Sequence, residues 1–330
     1  MFNVTTLQRY IPASLKNALK PYYRSLFPNQ LMVLIWPTFR CNYECSYCPV
    51  VTWFNMASIY PKECERPPAD WIDAMSRLPK ANIYFSGGEP FLYRGLPDVI
   101  NGLVARHNIL GVVTNGTVNV SEYDKIKNPI HLNISYHREF VAEDKFVAKI
   151  QALRDLRKFH INVNIVATRE NLPVLERVSK LITDRRVSLH VDPYIDPGSN
   201  FRYTREELAL LTKYLEADRL TQMDRLEFND YAVKTCSAGQ NYINVMPDGT
   251  VFRCAGGFEY YFNPIKQKLL TDPTGASHDS SFFRMGNLFD STFMLESPTQ
   301  CPLPCLAACD RDMATIKLRH PSPKRPSSAA

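Results

Sequence analysis

Three cysteines, Cys41, Cys45 and Cys48, fall within eight residues of a 330-residue chain, in the run Cys41-Asn-Tyr-Glu-Cys45-Ser-Tyr-Cys48. Three thiolates on one tight loop can hold three irons of a [4Fe–4S] cluster and leave the fourth iron for a ligand from outside the protein. A structural zinc ion asks for four ligands, and the loop carries no histidine and no fourth cysteine; such a site would have to recruit Cys64. A second run, Ser86-Gly87-Gly88-Glu89-Pro90, lies about forty residues on. Its two glycines let backbone approach a ligand closely. Its amides, carbonyls and the Glu89 carboxylate would suit a ligand ammonium group. Alone, such a run is more often a turn than a site; following the cysteine loop, it reads as a binding segment.

Five further cysteines lie toward the C-terminus. Cys236 is followed by twelve residues, then Gly249, then four residues and Cys254. Cys301-Pro-Leu-Pro-Cys305-Leu-Ala-Ala-Cys309 comes later. Clustered cysteines in a reducing compartment are metal ligands more often than disulfide partners. The alternatives are a zinc knuckle or plain thiols. Cys64 stands apart and reads as a buried or loop cysteine, with a catalytic thiol as the alternative.

The elements that must position these groups alternate. Strands are expected at Leu31–Trp36, Asn82–Phe85, Ile109–Val113, His131–Ser135, Ile161–Ala167 and Val187–Val191. Helices are expected at 69–78, 95–106, 121–127, 143–159 and 172–183. Six short strands with intervening helices imply an α/β fold, a parallel sheet of βαβ units whose right-handed crossovers curl it into a full or partial (β/α)6 barrel. Ligand chemistry in such folds collects at the C-terminal strand ends. The cysteine loop and the Gly-Gly-Glu run both sit there. A helix over 205–217 leads out, and Asn241–Met246, Pro247-Asp248-Gly249 and Thr250–Arg253 read as a β-hairpin. The domain reading is a strap over 1–30, a barrel over 31–200, a helical connection over 201–235, a small cysteine-rich α+β domain built on the hairpin over 236–310, and a disordered tail over 311–330.

The cysteine loop and the Gly-Gly-Glu run together resemble the radical SAM superfamily. The resemblance covers about residues 31–195. It implies that Cys41, Cys45 and Cys48 carry a [4Fe–4S] cluster whose free iron chelates S-adenosylmethionine, with Gly87, Gly88 and Glu89 holding its amine. It implies that Tyr47, the aromatic residue before the last loop cysteine, lies near the adenine. Asn115, in Thr114-Asn115-Gly116-Thr117 at the end of the third strand, and Ser135, at the end of the fourth, are carried over as cofactor contacts. Thr168 and His137 are weaker carry-overs, each read as well as a capping or turn residue. The reaction implied is reductive cleavage of S-adenosylmethionine to a 5′-deoxyadenosyl radical that abstracts a substrate hydrogen atom. The C-terminal cysteines resemble the SPASM and twitch extensions of that family, implying an auxiliary [4Fe–4S] cluster. Cys236, Cys254 and Cys305 are its foremost ligands, and Cys301 and Cys309 compete for the last place. His190, Asp192 and Tyr194, near strand ends, could face the substrate or support the core.

Composition bounds the function. A net charge of +6 suits an acidic electron donor of the flavodoxin or ferredoxin type. No basic tract is present, so nucleic-acid binding is not expected. No apolar run approaches the roughly 20 residues a membrane span needs, and the first residues lack the pattern of a signal peptide; a cytoplasmic protein is expected. About 30 residues precede the first strand, too few for the leader-recognition domain of about 80 residues that peptide maturases of this family commonly carry. The favoured substrate is therefore a small sugar- or cyclitol-like intermediate that is oxidised or rearranged. A ribosomal-peptide maturase is the alternative, and a non-catalytic Fe–S electron carrier a distant third.

Overall fold

A computed structural model describes residues 31–48, 50, 55–182, 187–194, 201–214, 233–254, 280–290, 292–297 and 316–318. The strap at 1–30, the tail beyond 318, and Cys301, Cys305 and Cys309 lie outside the described residues. Six strands build the barrel: β1 (Leu31–Ile35), β2 (Ala81–Phe85), β3 (Asn108–Thr114), β4 (Ile130–Ser135), β5 (Phe159–Ala167) and β6 (Val187–Pro193), each parallel to the next. Between them run α1 (Met56–Ile59), α2 (Pro68–Ser76), α3 (Leu96–Leu103), α4 (Val120–Asp124), α5 (Glu143–Asp155) and α6 (Leu172–Leu181), with α7 (Arg205–Leu211) after β6.

The helices follow from spacing. Leu96, Val99, Ile100 and Leu103 make one buried stripe on α3, and Pro97 sits in its first turn, where a missing N–H costs nothing. Phe146, Ile150 and Leu153 do the same on α5, whose first turn carries Glu143 and Asp144 against the helix dipole. The helix expected to reach residue 159 stops at Asp155. Arg157 turns into the left-handed region at φ +58°, and Phe159 already belongs to β5. Thr204 and Glu207 form a reciprocal capping box at the start of α7.

The strands alternate. Leu31, Val33, Ile35, Ile83, Phe85, Leu132, Ile134, Val163 and Ile165 are buried in one core with Trp71, Val99, Ile150 and Val178 from the helices. Each fully buried aliphatic side chain of this kind contributes roughly 1.5–3 kcal/mol. A parallel strand covered on both faces reads as a continuous apolar run. These do not, because their other face is the concave side of the barrel. It carries Tyr84, Asn133, Ser135, Asn162, Asn164 and His190, all partly exposed. His107, at the start of β3's approach, ties the bottom of the barrel. Its Nδ1 accepts from the Ala81 amide at 3.2 Å, and its Nε2 lies 3.1 Å from the Met75 carbonyl. Burial holds its pKa below the ordinary value.

The expected hairpin forms, and it extends the barrel sheet. β8 (Tyr242–Val245) pairs parallel with β1, β9 (Thr250–Phe252) pairs antiparallel with β8, and β10 (Arg284–Asn287) pairs antiparallel with β9. The order is β10-β9-β8-β1-β2-β3-β4-β5-β6. An unpaired β1 would offer open amides and carbonyls to solvent or to other chains, and β8 covers that edge. The Asp248 carboxylate accepts from the Thr250 amide and hydroxyl, both at 2.9 Å, and Gly249 takes φ +86°, which closes the turn. A small second sheet pairs β7 (Val233–Cys236) with β11 (Ile316–Leu318).

Candidate active site

The cysteine loop is fastened at its root. The Arg40 guanidinium grips Glu65 through Nε at 2.6 Å and Nη2 at 3.0 Å, and also donates to the Leu92 carbonyl at 2.7 Å. Thr38 donates to the same Glu65 carboxylate at 2.6 Å. The Thr38 and Arg40 carbonyls then accept from the Gly88 amide at 3.1 Å and the Glu89 amide at 2.8 Å. The Gly-Gly-Glu run is thus zipped edge-on to the loop. A Cβ on Gly87 would strike the Thr38 carbonyl, and one on Gly88 the carbonyls of Phe39 and Arg40. The glycines are required by this protein–protein approach.

The Glu89 carboxylate is held by protein donors. Its side chain is fully buried and accepts from the Asn115 amide at 2.6 Å, the Thr114 hydroxyl at 2.8 Å and the Phe91 amide at 3.0 Å. Burial raises its pKa and the three donors oppose that rise. The carboxylate is turned inward and spent on the ends of β2 and β3. A free carboxylate in that apolar setting would be costly, whereas one with three donors is satisfied.

Asn115 is buried and joins the loop from the β3 side. Its Nδ2 donates to Asn42 Oδ1 at 2.9 Å and lies 3.9 Å from Cys41 Sγ, while its Oδ1 accepts from the Thr117 amide and hydroxyl. The segment after β4 supports the other flank. His137 Nδ1 lies 3.0 Å from Cys45 Sγ and 2.8 Å from the Tyr47 hydroxyl. The His137 and Tyr47 rings are nearly parallel, and Tyr43 stacks on Phe140. Glu139 accepts from the Ser46 hydroxyl at 3.1 Å. Burial lowers the His137 pKa to about 4, so the ring is neutral. Asn42, Arg40, Glu65 and Glu139 were not singled out by sequence; each acts across 25 or more residues, which no local pattern reveals.

The three thiols fit an iron–sulfur cluster. The Cys45 amide-side turn is tight, with the Cys48 amide donating to the Cys45 carbonyl at 3.0 Å. Burial pushes Cys45 up to about 12, and the neighbouring Cys48, Glu139 and Cys41 push the same way; Cys41 is raised too, first by burial. Thiolates so placed need a partner that brings its own positive charge. No three acidic, cysteine or histidine side chains among the described residues converge on a single metal ion. A cluster does not require that, since each thiolate takes a different iron.

Ser135, the last residue of β4, is half-buried on the concave face and pairs in register with Asn164. Thr168 is a turn residue whose hydroxyl accepts from the Asn171 amide at 3.3 Å before α6. His190 Nε2 lies 3.0 Å from Asp192 Oδ1 on β6. Cys236 and Cys254 both pack about Ala238 and Tyr242, beside Met32 and Leu34 of β1. Arg253 is buried, stacked on Phe282, and donates to the Ala238 carbonyl and to Glu296. Cys64 is half-buried against Phe39, Met56 and Tyr60, and no disulfide joins any described cysteine.

Residues 35–189 match the Radical SAM superfamily. This stretch is a radical SAM domain. It comprises the barrel from the end of β1 to β6 and contains all three loop cysteines. The chain is 26% identical over 273 residues to a PqqA peptide cyclase of Xanthomonas axonopodis pv. citri (strain 306), covering 70% of this chain and 69% of that protein. Its fold resembles Streptococcus suis SuiB bound to precursor peptide SuiA, with TM-score 0.53, 14% identity, and 74% and 64% of the two chains covered. It also resembles anSMEcpe with bound AdoMet and Kp18Cys peptide, with TM-score 0.51, 17% identity, and 80% and 79% covered. The radical SAM domain makes the chain an enzyme, with a [4Fe–4S] cluster and S-adenosylmethionine as its cofactors. The electron-carrier alternative falls with that. No described helix is long and apolar enough to cross a membrane.

Proposed function

We propose that this radical SAM enzyme modifies a peptide. The observation that carries the reading is the similarity to the PqqA peptide cyclase over more than two thirds of both chains, extending well past the barrel. Cys41, Cys45 and Cys48 would hold the cluster. The Gly87 and Gly88 backbone, Asn115, Ser135 and Tyr47 would contact S-adenosylmethionine, and Glu89 would order the segment that holds its amine. Cluster and cofactor, when bound, supply the 5′-deoxyadenosyl radical that removes a substrate hydrogen atom. This chain's share is position and exclusion: the concave face must keep water out and hold one C–H in place, because so reactive a species does not discriminate.

Cys236 and Cys254 would take part in an auxiliary SPASM- or twitch-like cluster with partners among Cys301, Cys305 and Cys309. The pairing of Ile316 with Cys236 supports this. Cys309 stands seven residues before Ile316 in the sequence. An acidic flavodoxin- or ferredoxin-type donor in the cytoplasm would reduce the first cluster. A small sugar- or cyclitol-like substrate is the second reading, favoured by the hydroxyl and amide groups of Ser135, Asn133 and Asn162 on the concave face.

The test is anaerobic reconstitution, iron counting, and incubation with S-adenosylmethionine, a reductant, and either peptide or cyclitol pools. A peptide that raises 5′-deoxyadenosine formation and changes mass supports the reading. A rise with cyclitols alone overturns it. About eight irons per chain, falling to about four in Cys236→Ala and Cys254→Ala, are expected for two clusters of four.

A further inference from the structure

We infer that Asn244 is a substrate-anchoring residue: its side-chain amide donates to a carbonyl oxygen of the substrate, between the cysteine loop and the Cys236–Cys254 pair. The inference rests on the reading that the concave face binds a peptide. Asn244 lies on β8, opposite Leu34 of β1. Its neighbours Ile243 and Val245 are buried in the helix-side core, so strand alternation puts Tyr242 and Asn244 on the concave face. Trp36, which follows β1 toward Cys41, and Tyr242, which packs near Cys236 and Cys254, both reach it.

The orientation of the amide is fixed. Trp36 Nε1 lies 3.3 Å from Asn244 Oδ1, and the Tyr242 hydroxyl lies 3.4 Å from the same oxygen. An indole N–H can only donate, so that atom must be the oxygen. Nδ2 then points the other way. It is buried, in a residue only 1% exposed, and it meets no acceptor among the described residues. Leaving a buried donor unmatched costs stability, and an apolar side chain of similar size would avoid the cost. Across the barrel on β5, Asn164 Oδ1 is a buried acceptor that meets no donor among the described residues. A peptide presents both complements, C=O groups for Asn244 and N–H groups for Asn164. Asn244 lies across β1 from the Gly-Gly-Glu run, since β8 and β2 flank β1 on opposite sides.

Asn244→Asp isolates the group. It keeps an oxygen for Trp36 and Tyr242 and replaces the donor with an acceptor, while adding a buried carboxyl whose cost appears in Tm. Wild-type and variant chains, both reconstituted anaerobically, are titrated by saturation-transfer NMR with N-acetylalanine N-methylamide, which has two acceptor carbonyls, and with myo-inositol, which has hydroxyls alone. Cleavage of S-adenosylmethionine without either probe is the control. The expected result is amide binding to the wild type, weakened tenfold or more in Asn244→Asp, with basal cleavage unchanged at a temperature well below the Tm of both chains. Equal amide binding by the two chains overturns the role of Asn244 and leaves the peptide reading standing. Inositol binding that is lost in the variant, without amide binding, keeps Asn244 as an anchor and overturns the peptide reading. No binding of either probe to the wild type, or a water that stays on Nδ2 with the amide bound, overturns the inference.

Discussion

At Gly88 the chain leaves no room for a side chain, since the Phe39 and Arg40 carbonyls occupy the space a Cβ would need. Gly88→Ala should therefore push the cysteine loop off the β2 end, costing about 2 kcal/mol or more, and iron bound per chain after reconstitution should fall. Glu89→Gln is a finer probe. Its amide nitrogen must face either the Asn115 N–H or the donors from Phe91 and Thr114, setting donor against donor. We expect a loss of about 1–3 kcal/mol in urea unfolding, with far-UV circular dichroism unchanged. A variant as stable as the wild type would show that the carboxylate is not ordering the β2 and β3 ends. Both residues were legible in the sequence as parts of one run at a strand end. What Glu89 does there was not, because a motif gives residue type and spacing while the direction of a side chain depends on donors that arrive from a different strand, here β3.

The strands and helices of the barrel were legible because each repeats an apolar residue at its own period, as Phe146, Ile150 and Leu153 do on α5. The pairing of β8 with β1 was not, since about two hundred residues separate them and a hairpin reads the same whether it stands alone or joins a sheet. His107 belongs to this scale, for it links α2, β2 and the entry to β3. Its ring is neutral in the fold, with Nε2–H toward the Met75 carbonyl and Nδ1 accepting from Ala81. The unfolded chain's imidazole protonates near pH 6.5. Below that pH the unfolded chain takes up a proton that the folded chain resists, so stability falls as pH drops through about 6.5 toward the depressed folded value, and above it His107 adds no slope. Urea unfolding of wild type and His107→Gln between pH 5 and 8 should show a shallower acid-side decline in the variant. Parallel declines would rule out His107 as the source.

Across the whole molecule, the radical SAM domain and the hairpin share one sheet and one core, with Ile243, Val245, Val251 and Met285 packed among barrel residues. A chain truncated after Tyr214 would lose β8 and expose the full edge of β1, and it should aggregate on size-exclusion chromatography; a soluble, folded monomer would show that the barrel closes without the hairpin. The position of β1 has a further consequence for how the enzyme breathes. With neighbours on both sides, β1 cannot open unless β2 or β8 opens with it, so the root of the cysteine loop and the hairpin that carries Cys254 belong to a single cooperative unit. Amide hydrogen exchange in β1 and β8 should then slow and quicken together, and damage at the cysteine loop should be felt as loosening in the hairpin.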